Sequence, residues 1–234
     1  MTNNSVPYGF VYLSDFDPRI KFDMRYSGSN NIFGRQIKHY ETNVPICTYQ
    51  AALAIKKAQD EFEKSGYCLV IYDAYRPLGA CKDMVDWIDE DSVALEGYYV
   101  DFDSKIALFH NDYISDKSSH CRGSTLDMSI LHCNTELKSP VLSYREINNR
   151  NIPWMDDNTL DMGTSFDYMG VESHTNYPHL NQTQIDNRKF LVSTLEKYGL
   201  MNHAVSWEDE AQEWWHFTLK DEPFPDTYFD FPVR

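Results

Sequence analysis

The chain carries few positive charges. It has 21 Lys and Arg residues against 36 Asp and Glu residues, which gives a formal net charge of −15 at pH 7. A surface this acidic repels phosphate groups, so nucleic acid is not an expected partner. It also argues against binding to anionic lipid, whereas it is compatible with attracting cations to a site.

Long apolar runs are missing as well. No stretch approaches the roughly 18 apolar residues that a membrane span requires. Residues 1–12 also lack the basic region and apolar core of a signal peptide. We therefore expect no membrane span and a cytoplasmic location, with the periplasm as the alternative if a signal peptide has been removed. Nothing in the sequence predicts an oligomeric state.

Cysteine is scarce and irregularly placed. The five cysteines are odd in number and form no CxxC pair: Cys47, Cys68, Cys81, Cys121 and Cys133. Neither a disulfide framework nor a cysteine zinc site is therefore expected. The prediction is free thiols in a reducing compartment.

Internal repeats, low-complexity tracts and Pro/Gly/Ser-rich linkers are also absent from the 234 residues. We therefore expect residues 1–234 to form a single domain. Apolar spacing predicts helices at residues 49–64, 78–89 and 182–198. Short apolar or aromatic runs predict strands at residues 67–72, 126–131 and 214–219, and residues 14–45 are expected to form loops and short strands. Helices and strands alternate without a regular βαβ repeat, which indicates an α+β fold.

Two polar clusters carry residue types suited to metal chemistry. Residues 118–127 (SSHCRGSTLD) contain His120 and Asp127, and residues 213–216 (EWWH) end in His216. Catalytic zinc takes three protein ligands from His and carboxylate side chains and leaves one position for water. These three residues supply such a set. Each cluster alone is a weak signal, because single histidines are more often surface or core residues.

A metal-bound water also needs a carboxylate to accept its proton and pass it to the leaving amine. Glu213 suits this role if it lies outside the last strand, because positions 213 and 216 would occupy opposite faces of a regular strand. The same parity separates His120 from Asp127. We therefore expect Gly123 to bend the chain, with Asp127 on a strand and His120 in the preceding loop.

These motifs resemble those of the D-alanyl-D-alanine dipeptidases, the vancomycin-resistance-type zinc enzymes related to zinc D-Ala-D-Ala carboxypeptidases and the Hedgehog signalling domain. The two clusters are similar to the family patterns SxHxxGxAxD and ExWH. Three further segments agree in order: RY with NIFG (residues 25–34), DAYRP (73–77) and MGTSFD (162–167). The resemblance covers residues 12–219. Thr125 replaces the family's alanine, and residues 134–160 are longer than the family pattern.

The resemblance implies a central, mostly antiparallel sheet flanked by helices, as in the Hedgehog and DD-peptidase fold. It also implies one Zn²⁺ per chain, held by His120, Asp127 and His216. Glu213 would be the base and then the acid. Arg76 would stabilise the oxyanion, because a guanidinium is permanently charged and donates in a planar fork; a structural salt bridge is the alternative.

The resemblance also implies roles for four further residues of the pocket. Asp167 is a candidate for binding the substrate's ammonium group, with a turn or helix cap as the alternative. Ser118 would donate a hydrogen bond near the substrate or cap its own loop. Tyr26 and Phe33 would line the pocket, although aromatic residues at such positions are more often core.

The expected activity is hydrolysis of a small D-amino-acid dipeptide, D-Ala-D-Ala, to two D-alanines, in removal or recycling of cell-wall precursors. One alternative is a zinc D,D- or L,D-carboxypeptidase acting on longer peptidoglycan peptides. The other is a non-catalytic zinc-binding domain. A fourth protein ligand, such as His110, His132 or Cys133, would favour that last alternative, because structural zinc sites are closed.

Overall fold

A computed structural model of the chain describes residues 6–92, 96–98, 104–202 and 211–234. The α-helices within these residues are α1 (Leu13–Phe16), α2 (Tyr49–Lys64), α3 (Leu78–Asp86), α4 (Lys105–His110) and α5 (Gln182–Glu196). The strands are β1 (Phe10–Tyr12), β2 (Lys21–Phe22), β3 (Ile46–Thr48), β4 (Tyr67–Asp73), β5 (Thr125–His132), β6 (Val141–Ile147), β7 (Arg150–Asp156), β8 (Leu200–Asn202) and β9 (His216–Leu219). No helix in this part of the chain is long and apolar enough to cross a membrane.

The main sheet contains five strands in the order β2-β4-β5-β9-β8. Strand β2 runs parallel to β4, and the other neighbours are antiparallel. The central strands β4 and β5 are almost entirely buried, as expected for strands covered on both faces. Helix α2 packs against β4, and α5 packs against β8 and α2. This arrangement confirms the predicted α+β class with a mostly antiparallel sheet.

The predicted helices are present with small changes at their ends. Helix α2 has the predicted bounds, and the Thr48 side chain accepts a hydrogen bond from the backbone N–H of Ala51 at its start. Helix α3 ends at Asp86 and continues as a 3₁₀ turn, Trp87–Asp89. Helix α5 begins with a capping box at Asn181 and ends two residues before the predicted boundary.

The last strand is shorter than predicted, because it begins at His216 rather than at residue 214. The backbone N–H of Trp214 donates to the carbonyl of Ser173 (3.1 Å), and its indole N–H donates to Oγ1 of Thr164 (2.9 Å). These bonds tie Trp214 to a loop instead of a neighbouring strand. Trp214 therefore does not extend the sheet, whereas the carbonyl of Trp215 still accepts the N–H of Met128 on β5 (2.8 Å).

The prediction that all cysteines are free thiols is wrong. Cys68 and Cys133 form a disulfide with a Cα–Cα distance of 5.0 Å. Cys68 lies near the start of β4, and Cys133 directly follows β5, where its N–H donates to the carbonyl of Gly66 (2.9 Å). The antiparallel register therefore brings together two cysteines that are 65 residues apart in sequence. The other three cysteines are free and buried.

The predicted insertion at residues 134–160 contains a separate hairpin of β6 and β7. Asn148 and Asn149 form its turn with φ values of 50° and 61°, as in the mirror-image turns that suit hairpin twist. The hairpin lies outside the five-stranded sheet, so it lengthens the chain without changing the sheet order.

Candidate active site

Three acidic and imidazole side chains come from one row across the main sheet. Asp127 on β5 is paired with Asp73 on β4 and with His216 on β9. Residues directly opposite each other on antiparallel strands project from the same face. The sheet register therefore places these three side chains side by side at the ends of β4, β5 and β9.

His120 reaches this row from a 3₁₀ turn, Ser119–Arg122, that precedes β5. Gly123 ends the turn with a φ of +80°, a conformation that favours glycine. A Cβ at Gly123 would also lie 2.2 Å from Cε1 of Phe10. The predicted bend at Gly123 is confirmed, with Asp127 on the strand and His120 before it.

His120, Asp127 and His216 form a group whose potential ligand atoms all lie within 4.8 Å of one another. Oδ1 of Asp127 is 3.4 Å from Nε2 of His120 and 3.3 Å from Nδ1 of His216. Ligand atoms about 2.0–2.1 Å from a tetrahedral metal are separated by about 3.3 Å. The two distances from Asp127 therefore match the spacing of ligands around a tetrahedral metal ion.

The hydrogen bonds of the two imidazole rings involve the nitrogen atoms that face away from Asp127, which leaves the nitrogen atoms that face Asp127 for a metal ion. Nδ1 of His120 lies 2.7 Å from the carbonyl of Ala74, and Nε2 of His216 lies 3.3 Å from Oγ of Ser119. Such outer bonds orient metal-binding rings and leave the other nitrogen for the metal. Among the described side chains, Nε2 of His120 and Oδ1 of Asp127 are buried polar atoms without a hydrogen-bond partner. Unsatisfied buried atoms are costly, and a metal ion would satisfy both.

The two imidazoles also control the ionisation of Asp127. Burial by itself raises the pKa of this carboxyl, but the neighbouring rings of His120 and His216 outweigh burial and hold the pKa well below its usual range. Asp127 is therefore a carboxylate at neutral pH, which is the form that binds a metal ion.

Glu213 lies in the turn before β9, as strand parity requires. One of its carboxylate oxygens is 3.5 Å from Nδ1 of His216. The amide of Asn202 on β8 donates to the carbonyls of both Glu213 (3.0 Å) and His216 (2.9 Å), which fixes the turn. Burial, with Asp127 nearby, raises the pKa of Glu213 to about 7 against the opposing charges of His216 and Arg76. A carboxyl with that pKa can both accept and return a proton near neutral pH.

Arg76 follows the end of β4 and faces the same cavity. Its Nε donates to Oδ2 of Asp73 (2.9 Å), and one Nη atom is 3.9 Å from Oδ2 of Asp127. Asp73 is held in turn by the hydroxyl of Tyr40 at 2.6 Å. The guanidinium also lies over the Tyr26 ring, 5.1 Å from its centroid. Arg76 therefore forms the structural ion pair of the predicted alternative and also lines the cavity, and its role toward an oxyanion stays a prediction.

Asp167 is buried and has a left-handed backbone with a φ of +60°. Its Oδ2 accepts a hydrogen bond from the hydroxyl of Tyr26 (2.8 Å). Burial raises the pKa of Asp167 well above its usual range, and nearby Asp127 adds to the shift. Asp167 lines the cavity and also lies in a turn in which the N–H of Tyr168 donates to the carbonyl of Ser165 (3.4 Å). The structure therefore shows the turn of the predicted alternative, and ammonium binding stays a prediction.

The site residues line one cavity of about 1010 Å³. Phe33 and Ser118 lie on its wall. Phe33 also packs edge-on against Trp87 with ring centroids 5.0 Å apart, and Oγ of Ser118 accepts the backbone N–H of His120 at 3.3 Å. Both residues therefore combine a cavity position with the structural role that the sequence left open.

Sequence reasoning gave no role to several residues that hold the site in place. Asp73 and Tyr40 orient Arg76, and Asn202 fixes the turn of Glu213. Arg188 on α5 donates to three backbone carbonyls in the loop that carries Asp167. Asp73 belongs to the DAYRP segment and could have been found from it. Tyr40 bonds to the side chain of Asp73, and Asn202 and Arg188 bond to backbone carbonyls distant in sequence, so these three residues carry no local signal.

Comparison with known proteins agrees with this geometry. A family model described as D-ala-D-ala dipeptidase matches residues 7–139 and 155–234. The D-alanyl-D-alanine dipeptidase of Enterococcus faecalis is 32% identical over 228 residues, covering 96% of this chain and 98% of the relative. The protein of that name from Enterococcus faecium is 31% identical over 228 residues, covering 97% and 98%. The one from Escherichia coli is 26% identical over 209 residues, covering 89% and 83%.

Proposed function

The chain belongs to the D-ala-D-ala dipeptidase family of metallopeptidases, and on that premise we propose that it is a zinc-dependent dipeptidase that hydrolyses D-Ala-D-Ala to two D-alanines. The observation that carries the proposal is the joint placement of a three-residue metal group, an adjacent carboxylate and an arginine around one cavity. A structural zinc site requires neither the carboxylate of Glu213 nor the guanidinium of Arg76.

His120, Asp127 and His216 would hold the metal, and two imidazoles with one carboxylate are a ligand set that Zn²⁺ favours. Zn²⁺, when bound, supplies Lewis acidity and lowers the pKa of a bound water toward about 7. We propose one Zn²⁺ per chain on the basis of the single group of three ligands among the described residues.

The protein side chains would manage the proton and the developing charge. The Glu213 carboxylate accepts a proton from the attacking water while the water oxygen bonds to the scissile carbonyl carbon. Arg76 donates hydrogen bonds to the resulting oxyanion. When the C–N bond breaks, Glu213 returns the proton to the leaving amine, which yields the second D-alanine.

Asp167 would bind the ammonium group of the substrate. Its carboxylate faces the cavity, and its Tyr26 partner supplies one hydrogen bond, which leaves lone pairs for an ammonium donor. An ion pair in so buried a place is strong, because little water screens it. Recognition of a free amine would favour dipeptides over the interior of a longer chain.

One observation favours a carboxypeptidase as a second candidate. A cavity of about 1010 Å³ lies at the upper end of the size range for small-ligand sites, and it offers more room than two alanines need. A longer peptidoglycan peptide ending in D-Ala-D-Ala is therefore a competing substrate.

A non-catalytic zinc domain has less support, because none of the predicted fourth ligands, His110, His132 and Cys133, belongs to the metal group found among the described residues. Cys133 is bonded to Cys68, and the ring of His132 packs on Tyr67 with centroids 4.5 Å apart.

The test is D-alanine release from D-Ala-D-Ala and from a pentapeptide ending in D-Ala-D-Ala, by zinc-loaded and by chelated protein. Release from the dipeptide that is lost on chelation is the expected result. A preference for the pentapeptide would support the carboxypeptidase, and no release from either substrate by zinc-loaded protein would contradict both enzymes.

The location of the protein is a separate proposal. Disulfides persist in oxidising compartments, so the Cys68–Cys133 bond favours the periplasmic alternative over the cytoplasm. Thiol labelling of protein taken directly from its native cells would test this, since a reduced pair would favour the cytoplasm.

A further inference from the structure

The loop that carries Asp167 is held between two elements. Arg188 on α5 supports one side, with hydrogen bonds to the carbonyls of Met162 (2.6 Å), Glu172 (2.8 Å) and His174 (2.5 Å). The hairpin β6–β7 supports the other side. The family model does not match residues 140–154, which make up most of this hairpin. Residues 140–154 of the hairpin are therefore additional to the segments that the family model matches, whereas Met155 at the end of β7 belongs to them.

The first link between the hairpin and the loop is a hydrogen bond from a backbone N–H to a serine hydroxyl. The N–H of Met155 on β7 donates to Oγ of Ser165 at 2.6 Å, and both residues are buried. Ser165 lies two residues before Asp167, and its carbonyl accepts the N–H of Tyr168 at 3.4 Å. The hairpin therefore fixes one end of the turn in which Asp167 has its left-handed conformation.

Apolar packing forms the second link. Ile147 on β6 and Ile152 on β7 form a small hydrophobic cluster with Tyr168 and Leu180, separate from the main core. Tyr168 directly follows Asp167 and is fully buried. Shortening a side chain in this cluster would loosen the packing of Tyr168, which is next to Asp167, because packed interiors transmit small changes in volume.

An ion pair forms the third link. Nη1 of Arg150 on β7 is 2.6 Å from Oε1 of Glu172, whose side chain is completely buried. A buried carboxylate needs a charged or hydrogen-bonded partner. Arg150 therefore secures the far end of the loop, while Arg145 on β6 pairs with Asp161 at its beginning, 2.5 Å from Oδ1.

We infer that the hairpin β6–β7 is a positioning element for Asp167, and that it thereby determines how strongly the substrate's ammonium group is bound. This inference rests on the proposed function, in which Asp167 is the ammonium ligand. It assigns a substrate-recognition role to a segment that contributes no residue to the metal group.

The test is a double-mutant cycle between the hairpin and Asp167. Ile152→Ala and Arg150→Gln are each made in the natural sequence and in an Asp167→Asn background, and kcat and KM for D-Ala-D-Ala are measured. Ile55→Ala on α2 is the matched control, because it removes an equally buried side chain from the main core. Arg150→Gln removes the charge that pairs with Glu172 and leaves the apolar cluster intact, so it remains informative if Ile152→Ala does not fold.

We expect each hairpin substitution alone to raise KM by about tenfold or more, with kcat changed by less than about twofold. In the Asp167→Asn background the same substitutions should leave KM unchanged, because the group that they position is absent. Ile55→Ala should leave KM unchanged in both backgrounds.

Equal increases in KM in the two backgrounds would overturn the inference, because the hairpin would then act independently of Asp167. So would a loss of kcat without a change in KM, which is the signature of a smaller folded fraction. If the unsubstituted protein releases no D-alanine, the proposed function is wrong and the inference is wrong with it. The unsubstituted protein is therefore assayed first, so that a failure of the proposed function is distinguished from a failure of the hairpin's positioning role.

Discussion

Asp127 on β5 lies directly opposite His216 on β9, with Oδ1 of the carboxylate 3.3 Å from Nδ1 of the imidazole. Substitution of His120, Asp127 or His216 by alanine should therefore reduce bound zinc from one ion per chain to almost none. Zinc at about 1,000 times its dissociation constant should raise the free energy of unfolding of the natural protein by about 4 kcal/mol. It should leave the free energy of unfolding of these variants unchanged. Metal analysis after gel filtration and thermal unfolding with and without zinc measure both effects.

His132→Ala is the matched control, because His132 is an exposed histidine at the far end of β5. It should retain one zinc ion per chain. A variant of the three predicted ligands that keeps its full metal content would show that the residue is not a ligand.

Asp167 should make substrate affinity depend on pH. Its pKa lies well above the usual range, so the carboxyl is neutral at low pH and ionised at high pH. Only the ionised form attracts an ammonium group. KM for D-Ala-D-Ala should therefore fall as pH rises toward the pKa of Asp167, by up to about tenfold per pH unit. The window ends near pH 8, where an α-amino group loses its own proton.

Asp167→Asn should raise KM and remove this pH dependence, because the amide does not ionise. KM must be determined separately from kcat, since Glu213 titrates near pH 7 and affects turnover. An unchanged slope of KM against pH in the variant would assign the dependence to another group.

Gly123→Ala should destabilise the protein. The substitution places a side chain at a φ of +80° and within 2.2 Å of Phe10. The backbone cost of about 1 kcal/mol and an overpacking cost of about 1–3 kcal/mol add to about 2–4 kcal/mol. Urea unfolding measures the change. Gly28→Ala is the control, because a Cβ there has no atom within 4 Å, and it should change stability by less than about 0.5 kcal/mol.

The Cys68–Cys133 disulfide should contribute to stability and little to turnover. It closes a loop with a sequence separation of 65 residues, for which chain entropy predicts a stabilisation of about 4 kcal/mol. The double variant Cys68→Ser, Cys133→Ser should lose that amount in urea unfolding while its kcat stays unchanged. Dithiothreitol should lower the stability of the natural protein to a similar level. A reductant effect of the same size on the double variant would mean that the reductant acts elsewhere.

The sequence predicts the helices and strands that are determined by residues close to one another in the chain. Helix α2 has the predicted bounds because its apolar residues repeat at helical spacing and Thr48 caps its first turn. The start of β9 was misplaced because the N–H of Trp214 pairs with Ser173 in a distant loop, and no pattern around residue 214 reveals that partner. Strand propensity was overridden by tertiary hydrogen bonding.

The candidate site divides in the same way. Its ligands belong to compact motifs, so the sequence could name His120, Asp127 and His216. The residues that orient the site, such as Tyr40 and Asn202, act through bonds to atoms far away in sequence. The disulfide was missed for the same reason, because cysteine spacing does not report that β4 and β5 are antiparallel neighbours.

In the proposed mechanism, Glu213 moves the proton in a metal-dependent hydrolysis. A direct test compares kcat for D-Ala-D-Ala of Glu213→Gln and of the natural protein at equal zinc content. We expect the variant to bind one zinc ion per chain and its kcat to fall by about 10²–10⁴-fold. A fully zinc-loaded variant that kept more than about a tenth of the natural kcat would show that Glu213 does not carry the proton.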